Sequence, residues 1–97
     1  DQGNYPEAVK LYEQSLELLK DLGDKSGIAR SLCQLGKLKE EKKDLEGALD
    51  NYISALSIFE ELHDPSREIA KESIARLKTI MGEDAFLKVW RRRRESA

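Results

Sequence analysis

Cysteine is almost absent from this chain of 97 residues: Cys33 stands alone, so no intrachain disulfide can form. Histidine also occurs once, as His63, and neither residue has a second Cys or His at metal-ligand spacing, which removes the usual zinc sites. No apolar run approaches the roughly 18 residues that a membrane-spanning helix needs, and no secretory leader is legible. There is no glycine-rich phosphate loop, since Gly23, Gly27 and Gly36 do not form one. An excess of one charge is missing too. Lys and Arg number 17 against 19 Asp and Glu, a net charge of −2, which gives no electrostatic ground for a nucleic-acid partner. Proline is limited to Pro6 and Pro65, both beside expected helix starts. These absences lead us to expect a soluble, cytoplasmic protein of a reducing compartment, one domain at most.

What is present is the mixture that amphipathic helices require, 39% apolar and 37% charged residues. It is also repeated. Shifting the sequence by 40 places Ala8 on Ala48, Tyr12 on Tyr52, Ser15 on Ala55, Leu18 on Ile58, Leu22 on Leu62 and Asp24 on Asp64. A shift of 42 places Leu32, Leu35 and Leu38 on Ile74, Leu77 and Ile80. The matching positions are apolar, small or capping, as repeated packing demands.

Five helices follow. The first starts after Asn4, where Asn4 and Glu7 have the spacing of a capping box, and ends at Gly23, a residue suited to the left-handed position past a helix. Asp24 caps the second, which runs to about Lys42 with Ile28, Ala29, Leu32, Leu35 and Leu38 apolar. Asp44 caps the third, over about 45–62, with Leu45, Ala48, Leu49, Tyr52, Ile53, Leu56, Phe59 and Leu62 buried. His63 then takes the place Gly23 held, and Asp64-Pro65 opens the fourth helix, whose apolar residues are Ile69, Ala70, Ile74, Leu77 and Ile80. Gly82 ends it. A short fifth helix from about Glu83 carries Ala85, Phe86, Val89 and Trp90 and frays into Arg91–Arg94.

The residues that chemistry would use read as structural. Cys33 and His63 lie on different helices and lack a third orienting group, so no nucleophilic pair is expected. Glu40-Glu41, Glu60-Glu61 and Glu83-Asp84 fall at helix ends or on wet faces beside lysines rather than in a dry pocket. The chain is therefore expected not to be an enzyme, and no cofactor is implied. Arg91–Arg94 reads as cations at a helix C-terminus, favoured by the helix dipole, or alternatively as a basic tail for nucleic acid or an acidic surface.

Gly36, Ala48 and Ala55 sit where two helix backbones must approach closely. With Leu35-Gly36 and Ala48…Tyr52…Ala55 the chain resembles the tetratricopeptide repeat, whose pattern is W-x-x-L-G-x-x-Y followed by A-x-x-x-F and a helix-ending Pro. Leu32 takes the tryptophan position, Lys39 departs from the aromatic one, and the proline is displaced to Pro65. The period of about 40 fits the long form of the repeat. The segment Met81-Gly82-Glu83-Asp84-Ala85-Phe86…Trp90 also looks like the C-terminal end of many bacterial and archaeal repeat arrays.

The resemblance implies an all-α fold, about five helices in antiparallel pairs stacked as a right-handed α-solenoid fragment. Residues 1–23 form the second helix of a truncated repeat, 24–63 a complete repeat, and 64–97 a degenerate capping pair with a basic tail. Because the chain opens at Asp1 inside a repeat, it is expected to be a piece of a longer polypeptide. The family lines a concave groove with the first helix of each pair, here the second and fourth helices. That makes Arg30, Cys33, Gln34, Lys37, Glu41, Glu72, Ala75, Arg76 and Thr79 the expected partner contacts. The expected function is protein–protein interaction by a peptide or partner protein in that groove. The alternatives are a sensor or regulatory arm of a larger nucleotide-binding signalling protein and, more weakly, a nucleic-acid adaptor acting through the arginine tail. The first helix carries two apolar stripes, Tyr5, Val9, Tyr12, Leu16 and Leu19 on one and Ala8, Leu11, Leu18 and Leu22 on its neighbour. One packs on the second helix and the other is left open, so self-association through the first helix is expected, assigned to Tyr5, Val9, Tyr12, Leu16 and Leu19.

Overall fold

A computed structural model describes residues 4–96, the side chains of residues 94 and 96 excepted. Five helices follow in order: α1 (Tyr5–Leu22), α2 (Lys25–Glu41), α3 (Leu45–Glu61), α4 (Arg67–Met81) and α5 (Glu83–Ser96). None of the described helices is long and apolar enough to cross a membrane.

The first three turns are one device used three times. Gly23, Lys43 and His63 take positive φ angles of 71°, 70° and 54°, and each is followed by an aspartate. At each turn the aspartate N–H donates back to the helix just ended: Asp24 to Leu19 (3.0 Å), Asp44 to Lys39 (2.9 Å) and Asp64 to Phe59 (2.8 Å). These bonds occupy carbonyls that the helix end would otherwise leave open. The aspartate side chain then turns forward. Asp24 accepts from the Gly27 N–H at 2.9 Å and Asp44 from the Gly47 N–H at 3.0 Å, which starts α2 and α3.

The third turn differs in its exit. Asp64 accepts from Ser66 N–H at 2.8 Å, two residues on, and α4 begins only at Arg67. This corrects the start expected at Asp64-Pro65. The place of Gly27 and Gly47 is held here by Arg67, and in this cap a Cβ at position 27 would lie 2.5 Å from the Asp24 carboxylate. A second correction falls on α1, where Asn4 makes no side-chain capping bond.

Lys43 is not a glycine and stands in a left-handed conformation that costs an ordinary residue about 1–2 kcal/mol. Lys43→Gly is therefore expected to raise stability by up to about 1 kcal/mol, the relief being partly offset by the roughly 0.4–1 kcal/mol of added chain entropy when unfolded. Gly23→Ala has the opposite sign, because a Cβ at Gly23 meets nothing within 4 Å and only the φ strain remains. Urea midpoints of the two variants against the parent check both.

Contacts at the helix ends give the stacking direction. Lys42 Nζ, just past α2, lies 5.5 Å from the Tyr5 ring at the start of α1. Lys25 at the start of α2 pairs with Glu61 at the end of α3, and Lys78 Nζ near the end of α4 lies 5.4 Å from the Phe86 ring on α5. α2 is thus antiparallel to both α1 and α3. The core has two linked parts. Ala48, Leu49, Tyr52, Leu77, Phe86 and Val89 join α3, α4 and α5. Ala29, Ala55, Phe59 and Ala70 join α2, α3 and α4, and Cys33 packs against both parts. Small residues at 29, 48, 55 and 70 let the backbones approach, and all four are fully enclosed.

Two parts of the expected core lie elsewhere. Ile69 and Ile80 are exposed, because Ala70, Ser73 and Leu77 are the α4 residues turned to α3. Leu62 is exposed as well, beyond the end of α3. The fifth helix does not fray at the arginines but continues to Ser96. Its second half lies beside the first half of α3, with Arg92 3.4 Å from Glu46, Arg93 3.3 Å from Asp50, and Arg93 donating to Ser54 at 2.9 Å. The arginine run therefore straps α5 to an acidic stripe of α3. The side chain of Arg94 lies outside the described residues.

Candidate interaction groove

A hollow of about 220 Å³ opens between α2 and α4, with Tyr52 of α3 reaching between them. Cys33 and Lys37 line one wall, and Ile69, Glu72, Ser73 and Arg76 the other. The wall residues of α4 recur at helical spacing, so they share a face. A second hollow of about 300 Å³ lies between α1 and α2, lined by Tyr12, Gln34, Lys37, Leu38 and Glu41. Lys37 faces both.

Of the contacts expected from the sequence, Cys33, Lys37, Glu72 and Arg76 come together in the first hollow, and Gln34, Lys37 and Glu41 in the second. Arg30, Ala75 and Thr79 line neither hollow. Arg30 donates to Ser26 on its own helix at 2.8 Å. Thr79 donates its hydroxyl to the Ala75 carbonyl one turn back, at 3.2 Å.

Beside the first hollow lies a network absent from the sequence reading. Glu40, near the end of α2, accepts from Arg76 twice, from Nε at 3.1 Å and from Nη2 at 2.8 Å. It also accepts from the Tyr52 hydroxyl at 3.0 Å. One carboxylate thus joins α2, α3 and α4. The arrangement has a local cause. Gly36 lies one turn before Glu40 and has no side chain, so the Tyr52 ring lies against the backbone there, 3.0–3.2 Å from where a Cβ would stand. The phenol is carried past Gly36 to Glu40. A buried tyrosine hydroxyl takes a partner wherever it ends; that requirement signals in the sequence that Tyr52 has a partner, but not that the partner is Glu40.

The electrostatics follow. The Arg76 hydrogen bonds hold the Glu40 carboxyl below its usual range, against the desolvation that pushes it up, and the Tyr52 bond adds to the lowering. Desolvation, and then Glu40, push the Tyr52 phenol up. Burial raises the Cys33 thiol, keeping it protonated at neutral pH. Because Glu40 binds its proton more weakly folded than unfolded, its contribution is present above the usual glutamate range and is lost as pH falls through the lower folded value. Urea midpoints measured from pH 6 down to 3 are expected to fall more steeply for the parent than for Glu40→Gln. Equal slopes would show that the carboxylate is not held in this way.

On α1 the stripe Tyr5, Val9, Tyr12, Leu16 and Leu19 is half-buried and turned to α2: Tyr5 meets Lys42, Tyr12 lies beside Leu38, and Leu19 Cδ2 lies near Gly27. The open stripe is the neighbouring one, with Leu11 and Leu18 each 61% and Leu22 71% exposed. This corrects which face of the first helix is uncovered. The reason is the crossing of α1 on α2, which only the tertiary packing sets.

The family model described as tetratricopeptide repeat matches residues 1–61. No curated protein and no solved structure matches the chain. The match spans α1 to α3, including the Gly36–Tyr52 contact and the enclosed Ala48 and Ala55 that the repeat's small positions require. The chain belongs to the tetratricopeptide repeat family.

Proposed function

We propose that the hollow between α2 and α4 docks an extended or helical segment of a partner protein, without chemistry on it. Tetratricopeptide repeats generally mediate protein–protein interaction. The observation that carries the reading is Ile69. It is 62% exposed to solvent on the groove wall, opposite Cys33 and Lys37, and offers an apolar anchor beside a cation. We do not assign that role to Arg76, whose Nε and Nη2 are already bonded to Glu40. Lys37 makes no ion pair among the described residues. The segment we assign to the groove therefore carries an apolar side chain for Ile69 and a carboxylate for Lys37. The two arginines that bind α3 leave the nucleic-acid reading with less to rest on.

A photo-crosslinking amino acid at position 69, used in cell extract, tests this. The expected result is a discrete protein adduct that Lys37→Glu weakens and that the same probe at Lys10 does not give. Adducts identical from both positions, or unchanged by Lys37→Glu, would overturn it.

A further inference from the structure

Two buried polar groups lack a hydrogen bond among the described residues. One, Asn51 Oδ1, is sealed and lines neither hollow. The other is the hydroxyl of Ser73, a residue only 8% exposed that lines the hollow between α2 and α4. Its own helix does not satisfy it, although Thr79 on the same helix bonds back to Ala75 in that way. A hydroxyl taken out of water without a partner works against the fold, so one left open on a hollow marks a place where another group is received. One residue earlier, Glu72 lines the same hollow and makes neither an ion pair nor a hydrogen bond among the described residues.

The charges around Ser73 restrict what that group is. Lys37 and Arg76 line the hollow, so an ammonium or guanidinium would meet two cations. Glu72 lines it too and Glu40 is bonded to Arg76, so a carboxylate would meet two anions. A charge leaving water needs a partner of its own, and here each partner of opposite sign comes with a rival. An apolar group avoids the conflict but leaves the hydroxyl as it was. The class that remains is neutral and polar. A carboxamide has a carbonyl that accepts and an amino group that donates, side by side. We infer that Ser73 and Glu72 form a subsite for the carboxamide of an asparagine or glutamine in the docked segment. Its oxygen accepts from the Ser73 hydroxyl and its N–H groups donate to the Glu72 carboxylate. This rests on the groove reading and extends it. The carboxylate assigned to Lys37 then belongs toward the second hollow, which Lys37 also lines, and not beside Ser73.

Cys33 lines the hollow and is the single cysteine of the chain, so it can carry the probe. The intact chain is equilibrated with the disulfides of mercaptopropionamide, mercaptopropionate and cysteamine against excess mercaptoethanol, and the Cys33 adducts are weighed by mass spectrometry. Relative to the urea-unfolded chain, the amide adduct is expected to exceed the acid and the amine about tenfold, as two added hydrogen bonds allow. Ser73→Ala, and independently Glu72→Ala, are expected to remove most of that preference. The first exchanges residues of similar size and the second is at an exposed position, so both keep their fold, which circular dichroism checks. Equal adducts in the folded chain, or a preference that survives both substitutions, would overturn the inference. So would the acid ahead of the amide, which would give Ser73 to a carboxylate. No amide preference beside a Lys37-dependent crosslink at position 69 would overturn this inference and leave the groove reading standing. A preference without that crosslink would overturn the groove reading, and with it the assignment of the amide to a partner protein.

Discussion

Leu49→Ala is expected to cost about 2–5 kcal/mol, the price of a cavity left by a wholly enclosed leucine. Leu49 is 0% exposed and belongs to the part of the core where α3, α4 and α5 meet. Leu77 and Val89 stand beside it with no access to solvent, and the helices around it are held on several sides, so the space cannot close by a simple shift. Against a total stability of roughly 5–15 kcal/mol for a domain this size, such a loss leaves a substantial unfolded fraction on mild heating. Leu56, one turn further along α3 from Tyr52, is only half-buried, and its truncation is expected to cost less. Denaturant unfolding of the two variants side by side checks the ranking. Equal losses would mean that α5 does not close over Leu49 as described.

Gly36→Ala is the second large effect, expected at about 1–3 kcal/mol from overpacking. The added methyl would lie 3.0 Å from Cε1, 3.1 Å from Cζ and 3.2 Å from Cδ1 of Tyr52, across the ring rather than at one flexible end. The ring has little room to retreat, since its hydroxyl is bonded to Glu40 and its other surroundings are core. In a helix interior alanine is otherwise preferred to glycine by about 1 kcal/mol, so a measured loss means the contact outweighs that gain. A double-mutant cycle isolates it. In a Tyr52→Leu background, which removes the ring, Gly36→Ala is expected to become neutral or stabilising. A loss of the same size in both backgrounds would show that the ring is not the obstacle.

These two residues also show what the sequence makes legible. Gly36, Ala48, Tyr52 and Ala55 specify a close helix pair because their sizes leave no other arrangement, and the aspartates at 24 and 44 announce the helix starts they cap. Ala29, Leu35, Leu77 and Val89 could be placed inside from periodicity alone. Ile69 and Ile80 could not be placed outside, because an apolar residue at helical spacing carries no label for which neighbour its face meets. The same holds for the two stripes of α1, whose exposure depends on the angle at which α1 crosses α2. Glu40 was invisible for another reason. A carboxylate beside lysines at a helix end is usually solvated, and only the path of the Tyr52 ring over Gly36 brings the phenol and Arg76 to it. In the groove, Cys33, Lys37, Glu72 and Arg76 are what the family resemblance implies for the second and fourth helices, whereas Tyr52, contributed by α3, reads from the sequence as core alone.

The bonds from Glu40 to Tyr52 and Arg76 bear on how the molecule comes apart. They tie α2 to α3 and α4 at a point where three helices otherwise touch through apolar surface, so separating one from the others breaks charged bonds and empties core at once. No comparable tie among the described residues reaches α1, which contributes no fully buried residue. Neighbour-to-neighbour coupling sets the order of opening in stacked repeats. Native-state hydrogen exchange should therefore divide the chain in two: α1 amides exchanging through frequent, shallow excursions, and α2 to α4 amides waiting for a single deep one. The molecule is expected to breathe from its first helix.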